Sequence, residues 1–84
     1  MTLKHRNPTE IIKDILKVCI GNGIMKTTIV YKANLNFYTV RPYLGLLIKK
    51  DLLEVVQGEH TLYKTTAKGA DALESLKNIE EICS

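Results

Sequence analysis

Apolar residues recur at helical spacing early in the chain and then change rhythm. Ile11, Ile12, Ile15, Leu16, Cys19 and Ile20 follow the steps that place side chains on one stripe of a helix. Asn7 can cap that helix, Pro8 suits its first position, and Glu10 sits where a capping box wants a carboxylate. Gly21-Asn22-Gly23 ends it, because glycine and asparagine tolerate positive φ. Ile24-Met25-Lys26 reads as a short extended edge. A second helix follows over about residues 28–33, capped by Thr27 or Thr28, with Ile29 and Val30 available to a core. Asn34-Leu35-Asn36 is a turn, and a third helix runs to about Lys50. Its start has two solutions. A cap at Thr39 keeps Pro42 in the first turn, where a missing N–H costs little. A cap at Asn36 places Pro42 deeper and bends the helix, and this start is favoured because Phe37 then joins the apolar stripe of Val40, Leu44, Leu47 and Ile48.

Beyond Lys50 the period shortens. Residues 52–56 read as a strand, Gln57-Gly58-Glu59-His60 as a hairpin turn, and residues 61–65 as the returning strand. Thr66 caps a last helix over about residues 66–83, with Ala70, Leu73, Leu76 or Lys77, Ile79 and Ile82 as its stripe. Gly69 lies in its first turn, where a small residue permits close packing. Three helices, a hairpin and a closing helix give an α+β, mainly helical fold in winged helix-turn-helix order. The parts are a basic arm (1–6), a body with its wing (7–65) and a carboxy-terminal helix (66–84).

Composition narrows this picture without deciding it. The chain has 84 residues, room for one domain, and its 45% hydrophobic content builds only a small core. The net charge of +3 is unevenly spread. Eleven Lys and Arg face five acids in residues 1–68, whereas Lys77 alone faces four acids in residues 69–84. A basic body suits a polyanion, and it equally describes a solvated mixed-charge surface. Cys19 falls on an apolar stripe and reads as a small buried hydrophobe. With Cys83 near the end and no zinc spacing, the cysteines point to a reducing, cytoplasmic setting. No signal peptide or membrane-length apolar run is expected.

The outer side of the third helix carries the candidate chemistry. Spacing by 100° places Tyr38, Thr39, Pro42, Leu46 and Lys49 opposite the apolar stripe, with Arg41 and Gly45 at the margin. Arg41 can pair bidentately with a guanine, and Asn36 with an adenine edge or a phosphate. Tyr38 and Thr39 can reach phosphate or a thymine methyl. Lys26, Thr28 and Lys32 surround the second helix, where phosphate contact would fall, and His60 and Lys64 belong to the wing. The bland alternative is an ordinary solvated face, and each lysine has the same alternative. Catalytic chemistry is missing from the pattern. His5 and His60 are not arranged with a nucleophile, Gly21-Asn22-Gly23 lacks the context of a phosphate loop, and Glu80-Glu81 reads as solvated. Neither an enzyme nor a cofactor nor a small-molecule ligand is expected.

Three stretches together resemble the small archaeal winged-helix DNA-binding proteins, predicted transcriptional regulators. They are Gly23-Ile24-Met25-Lys26-Thr27-Thr28-Ile29-Val30-Tyr31-Lys32-Ala33-Asn34-Leu35, then Tyr43-Leu44 with Leu47-Ile48-Lys49-Lys50-Asp51-Leu52-Leu53, then Tyr63 with Thr66-Ala67-Lys68-Gly69. The resemblance spans roughly Glu10 to Leu76. It implies a winged-helix body that binds double-stranded DNA and often dimerises through a long carboxy-terminal helix. Two departures stand out. Asp51 occupies a place where the family has glycine, which puts the ending of the third helix in question. The last helix is short for a coiled coil, and Leu73, Leu76, Ile79 and Ile82 step only by three. It either packs back on the first helix or forms a homodimer through those four positions. A two-fold dimer would offer two recognition helices about one DNA turn apart. The competing class is a winged-helix protein-interaction module without DNA binding, for which exposed Leu46 and Tyr38 would serve.

Overall fold

The computed structural model describes residues 7–83, and the side chains of residues 7–78. The expected basic arm, and the side chains of Ile79 and Ile82, lie outside the described residues. The elements run α1 (Pro8–Val18), α2 (Lys26–Lys32), α3 (Phe37–Lys49), β1 (Leu53–Val56), β2 (Leu62–Thr65) and α4 (Ala67–Cys83). This is the expected order, and the fold is a winged helix.

Asn7 caps α1 as the sequence suggests, its side-chain oxygen accepting from the Glu10 N–H at 2.8 Å. Asn36 caps α3 in the same way, accepting from Thr39 at 2.7 Å. The helix therefore starts at Phe37, and Pro42 lies inside it. The start of α2 differs from expectation. It begins at Lys26 with Met25 at the cap and no side-chain cap bond, so neither Thr27 nor Thr28 performs that task. The extended edge shrinks accordingly to Ile24, which exchanges two backbone hydrogen bonds with Tyr63 (2.9 and 2.8 Å).

Both α2 and α3 end in the same reversal, and neither uses glycine. At the end of α2, Leu35 donates to the Val30 carbonyl and Asn34 to that of Tyr31, with Asn34 at φ 57°. At the end of α3, Leu52 donates to Leu47 and Asp51 to Ile48, with Asp51 at φ 65°. These are the paired bonds of a Schellman motif, which needs one residue in the left-handed region. Asp51 thus ends the helix as a glycine would, and the departure from the family pattern leaves the geometry intact.

The hairpin pairs β1 with β2 antiparallel, Leu53 opposite Thr65 and Glu54 opposite Lys64. Its inner end is tied into the body by two successive threonines. Thr65, buried, donates its hydroxyl to the Leu16 carbonyl at 2.7 Å and its N–H to the Cys19 carbonyl at 3.1 Å. Those are terminal carbonyls of α1 that no later helical N–H satisfies. Thr66 donates its hydroxyl to the Asp51 carbonyl at 2.7 Å and its N–H to Leu52 at 3.0 Å. The same hydroxyl accepts from Gly69 at 2.9 Å, which caps α4. Gly69 is forced by this junction: a Cβ there would run into the Leu52 carbonyl oxygen and the Thr65 methyl.

The core collects Ile11, Ile15, Leu16 and Cys19 from α1, Ile29 from α2, Val40, Leu44 and Leu47 from α3, Leu53 from β1 and Leu73 from α4. Burying each large aliphatic side chain contributes about 1.5–3 kcal/mol. Burial also pushes the Cys19 thiol up to about 12, so it remains protonated and behaves as the small hydrophobe expected of it. Several residues of the anticipated stripes are not in the core, Ala70 among them, which is exposed on α4. Ile20 is 55% exposed because α1 stops two residues short of it, at Val18. Phe37 is 46% exposed at the first position of α3, and Ile48 sits exposed at the edge of the α3 stripe.

Candidate nucleic-acid interface

α3 presents two unlike sides. Val40, Leu44 and Leu47 are buried, while Tyr38, Arg41, Pro42, Gly45, Leu46 and Lys49 are exposed. Tyr38, at 88% exposure, stands almost wholly in solvent. The helix bears Arg41 and Lys49 and no acid, so its outer side is positive. A helix with this polarity can enter the major groove and pair an arginine with a base edge.

The local structure refines what each candidate can do. The Asn36 side-chain oxygen is committed to capping α3, which leaves its amide N–H groups as the free donors. That suits a phosphate oxygen better than the paired donor and acceptor of adenine. Thr39 is half-buried behind the same cap. Lys26 is half-buried, its ammonium 6.0 Å from the centre of the Phe37 ring. This contact is at the outer limit of a cation–π interaction and contributes about 0.5 kcal/mol. It also sets Lys26 beside the first turn of α3.

Other candidates lie elsewhere. Lys32 is exposed at the end of α2, where it lines a hollow with Asp14, Lys17 and Asn34 against α1. It is not gathered onto the α3 face by any described contact. Thr28 is half-buried within α2. His60 is exposed at the hairpin turn. Lys64 is half-buried on β2, directly across from Glu54, which offsets part of its charge. Of the candidate dimer residues, Leu73 belongs to the protomer core and Leu76 is half-buried. Ile20 and Leu73 line a second hollow with Ala70, Glu74 and Lys77.

Sequence reasoning missed the tertiary role of Thr65, because a hydroxyl that bonds 49 residues away leaves no local pattern. It also passed over Gly45, whose surroundings only the structure supplies. Among the described residues no cluster of His, Cys, Asp and Glu could hold a metal, and no helix is long and apolar enough to cross a membrane.

Comparison with known proteins gives this geometry its family. A family model described as winged helix-turn-helix matches residues 5–84, and the chain belongs to that family. An uncharacterized protein of Methanocaldococcus jannaschii is 35% identical over 74 residues, covering 88% of this chain. The match takes in 34% of that protein, so the chain spans about a third of its relative's length. Among solved structures, Sso10a-2, a DNA-binding protein from Sulfolobus solfataricus, superposes with a TM-score of 0.84 at 27% identity. That alignment covers 92% of this chain and 81% of the other.

Proposed function

We propose that this protein binds double-stranded DNA, placing α3 in the major groove and the hairpin along the backbone or minor groove, and acts as a transcriptional regulator. The observation that carries the reading is the outer side of α3, exposed, free of acids and bearing Arg41 and Lys49. Similarity to a DNA-binding protein of the same fold supports it. Arg41 reads a base edge, most favourably a guanine, and Tyr38 and Lys49 flank it. The Asn36 amide, Lys26 and, on the wing, His60 and Lys64 contact phosphates. Contacts of that kind position the protein and raise affinity without reading sequence.

A homodimer through α4 completes the proposal. With Leu73 inside the protomer, the contact would rest on Leu76, Ile79 and Ile82, and exposed Ile20 beside α4 adds apolar surface. Sedimentation over a range of concentrations reads this directly.

Titration of a labelled mixed-sequence duplex at low salt tests the main reading. Micromolar or tighter binding is expected, because phosphate contacts alone supply that affinity. Failure to bind at low salt would overturn it and turn Tyr38 and Leu46 into candidate protein contacts.

A further inference from the structure

Two residues of α3 weaken the helix and gain nothing from the rest of the protomer. Gly45 lies within the helix, where glycine is less favourable than alanine. Nothing crowds it: a Cβ built there meets no atom within 4 Å. Three residues earlier stands Pro42, sixth in the helix and exposed. Having no N–H, Pro42 cannot donate to the carbonyl of Tyr38, one turn behind it. That carbonyl lacks the donor an ordinary helix would give it, and the residue that bears it is 88% exposed. The Tyr38 carbonyl and Gly45 therefore fall on the acid-free outer side of α3, one to two turns apart, with Arg41 between them.

A missing side chain over open space and a carbonyl denied its helical donor have one physical use in common. Each lets something outside the protomer meet the main chain itself. The positive charge on this side, from Arg41 and Lys49, favours an anionic occupant.

We propose that α3 meets duplex DNA through its backbone as well as its side chains. At Gly45 the wall of the groove approaches to backbone distance, which any Cβ would hold off. At Tyr38 the freed carbonyl accepts a hydrogen bond from a base-edge amino group, N4 of cytosine or N6 of adenine, the amino donors of the major groove. This rests on the duplex-binding reading above and assigns close approach to Gly45 and base preference to the Tyr38 carbonyl, two positions that side-chain inspection passes over.

Three variants of the full chain test it: Gly45→Ala, Gly45→Leu and Pro42→Ala. Melting temperature is read alongside affinity for a mixed-sequence duplex and preference in a randomised-duplex selection. Gly45→Ala is expected to raise Tm by about 3–6 °C, since it strengthens a helix without meeting any neighbour. It should nevertheless weaken duplex binding about tenfold, and Gly45→Leu should weaken it further. Pro42→Ala returns an N–H to the Tyr38 carbonyl. It should erase preference for cytosine or adenine at one position while leaving mixed-sequence affinity within about twofold. Wild-type protein that binds duplex while both Gly45 variants bind equally well would overturn the inference and leave the duplex reading standing. A lower Tm for Gly45→Ala would also overturn it, by exposing an internal reason for the glycine. Wild-type protein that binds no duplex at all would remove the reading beneath it.

Discussion

Gly69 and Gly45 are both helical glycines, and their surroundings are opposite. Gly69 sits at the junction where β2 becomes α4, pressed against the Leu52 carbonyl and the Thr65 side chain. Gly45 sits in the middle of α3 with open space around it. The first is explained wholly by the protomer, the second by nothing in it. The same division holds for their neighbours. Thr65 bonds carbonyls at the end of α1, and Thr66 bonds those of Asp51 and Leu52 in the link from α3 to β1 and caps α4, so two residues fasten the junction. Pro42, near Gly45, removes a backbone bond and supplies none. One region spends its unusual residues on folding. The other tolerates them where the molecule faces outward, as expected of a surface shaped by a partner.

Substitution can break this contrast or sharpen it. Gly69→Ala carries the largest expected effect. The added methyl cannot avoid a backbone carbonyl, so α4 must shift off the hairpin. A loss of about 3 kcal/mol or more is expected in urea unfolding. If Gly69→Ala is as stable as wild type, the junction is looser than described and the contrast with Gly45 dissolves.

Thr65→Val comes next. It keeps the shape and leaves the Leu16 carbonyl buried without its hydroxyl donor. Such an orphaned group costs about 1–3 kcal/mol, and chemical denaturation should show it as a lower midpoint with an unchanged slope. Arg41→Ala acts on the other region. Its folding stability should stay within about 0.5 kcal/mol of wild type, as for an exposed surface residue. Its duplex affinity should drop by about 1–3 kcal/mol, with preference relaxed at one base position. Equal affinity and preference would place the reading surface elsewhere. The smallest effect is a gain. Asp51 holds φ 65° at the end of α3, and Thr66 bonds only its backbone carbonyl. Asp51→Gly should therefore stabilise the protein by up to about 1 kcal/mol, read as a rise in Tm. A loss would mean that the Asp51 side chain contributes more than its strain costs.

Much of the scaffold was legible from residue order. Asn7 and Asn36 announced two helix starts, Thr66 a third, and the change from helical to alternating rhythm after Lys50 announced the hairpin. These signals are local, and local chemistry decides them. Errors arose where tertiary structure outweighed local preference. Thr27 and Thr28 looked like caps, yet α2 begins at Lys26, immediately after Ile24 has paired with Tyr63. Ile20 and Phe37 fit a helical stripe extended to its limits, yet one lies beyond the end of α1 and the other on the first exposed turn of α3. The outer side of α3 was largely legible, because opposite faces of a helix follow from its period. The special standing of Gly45 was not, because empty space has no sequence signature.

The most direct test compares the salt dependence of duplex binding between wild-type protein and Arg41→Ala/Lys49→Ala. Log affinity should fall linearly with log salt for both, with a slope set by the number of phosphates neutralised, about −0.9 for each. With α3 against the DNA, the double variant should bind more weakly, and its slope should flatten by about 1, the share of Lys49 against a phosphate, while the loss of Arg41 from a base edge lowers affinity. Binding with an unchanged slope and affinity would contradict the account, because the duplex would then be held by some other surface of the molecule.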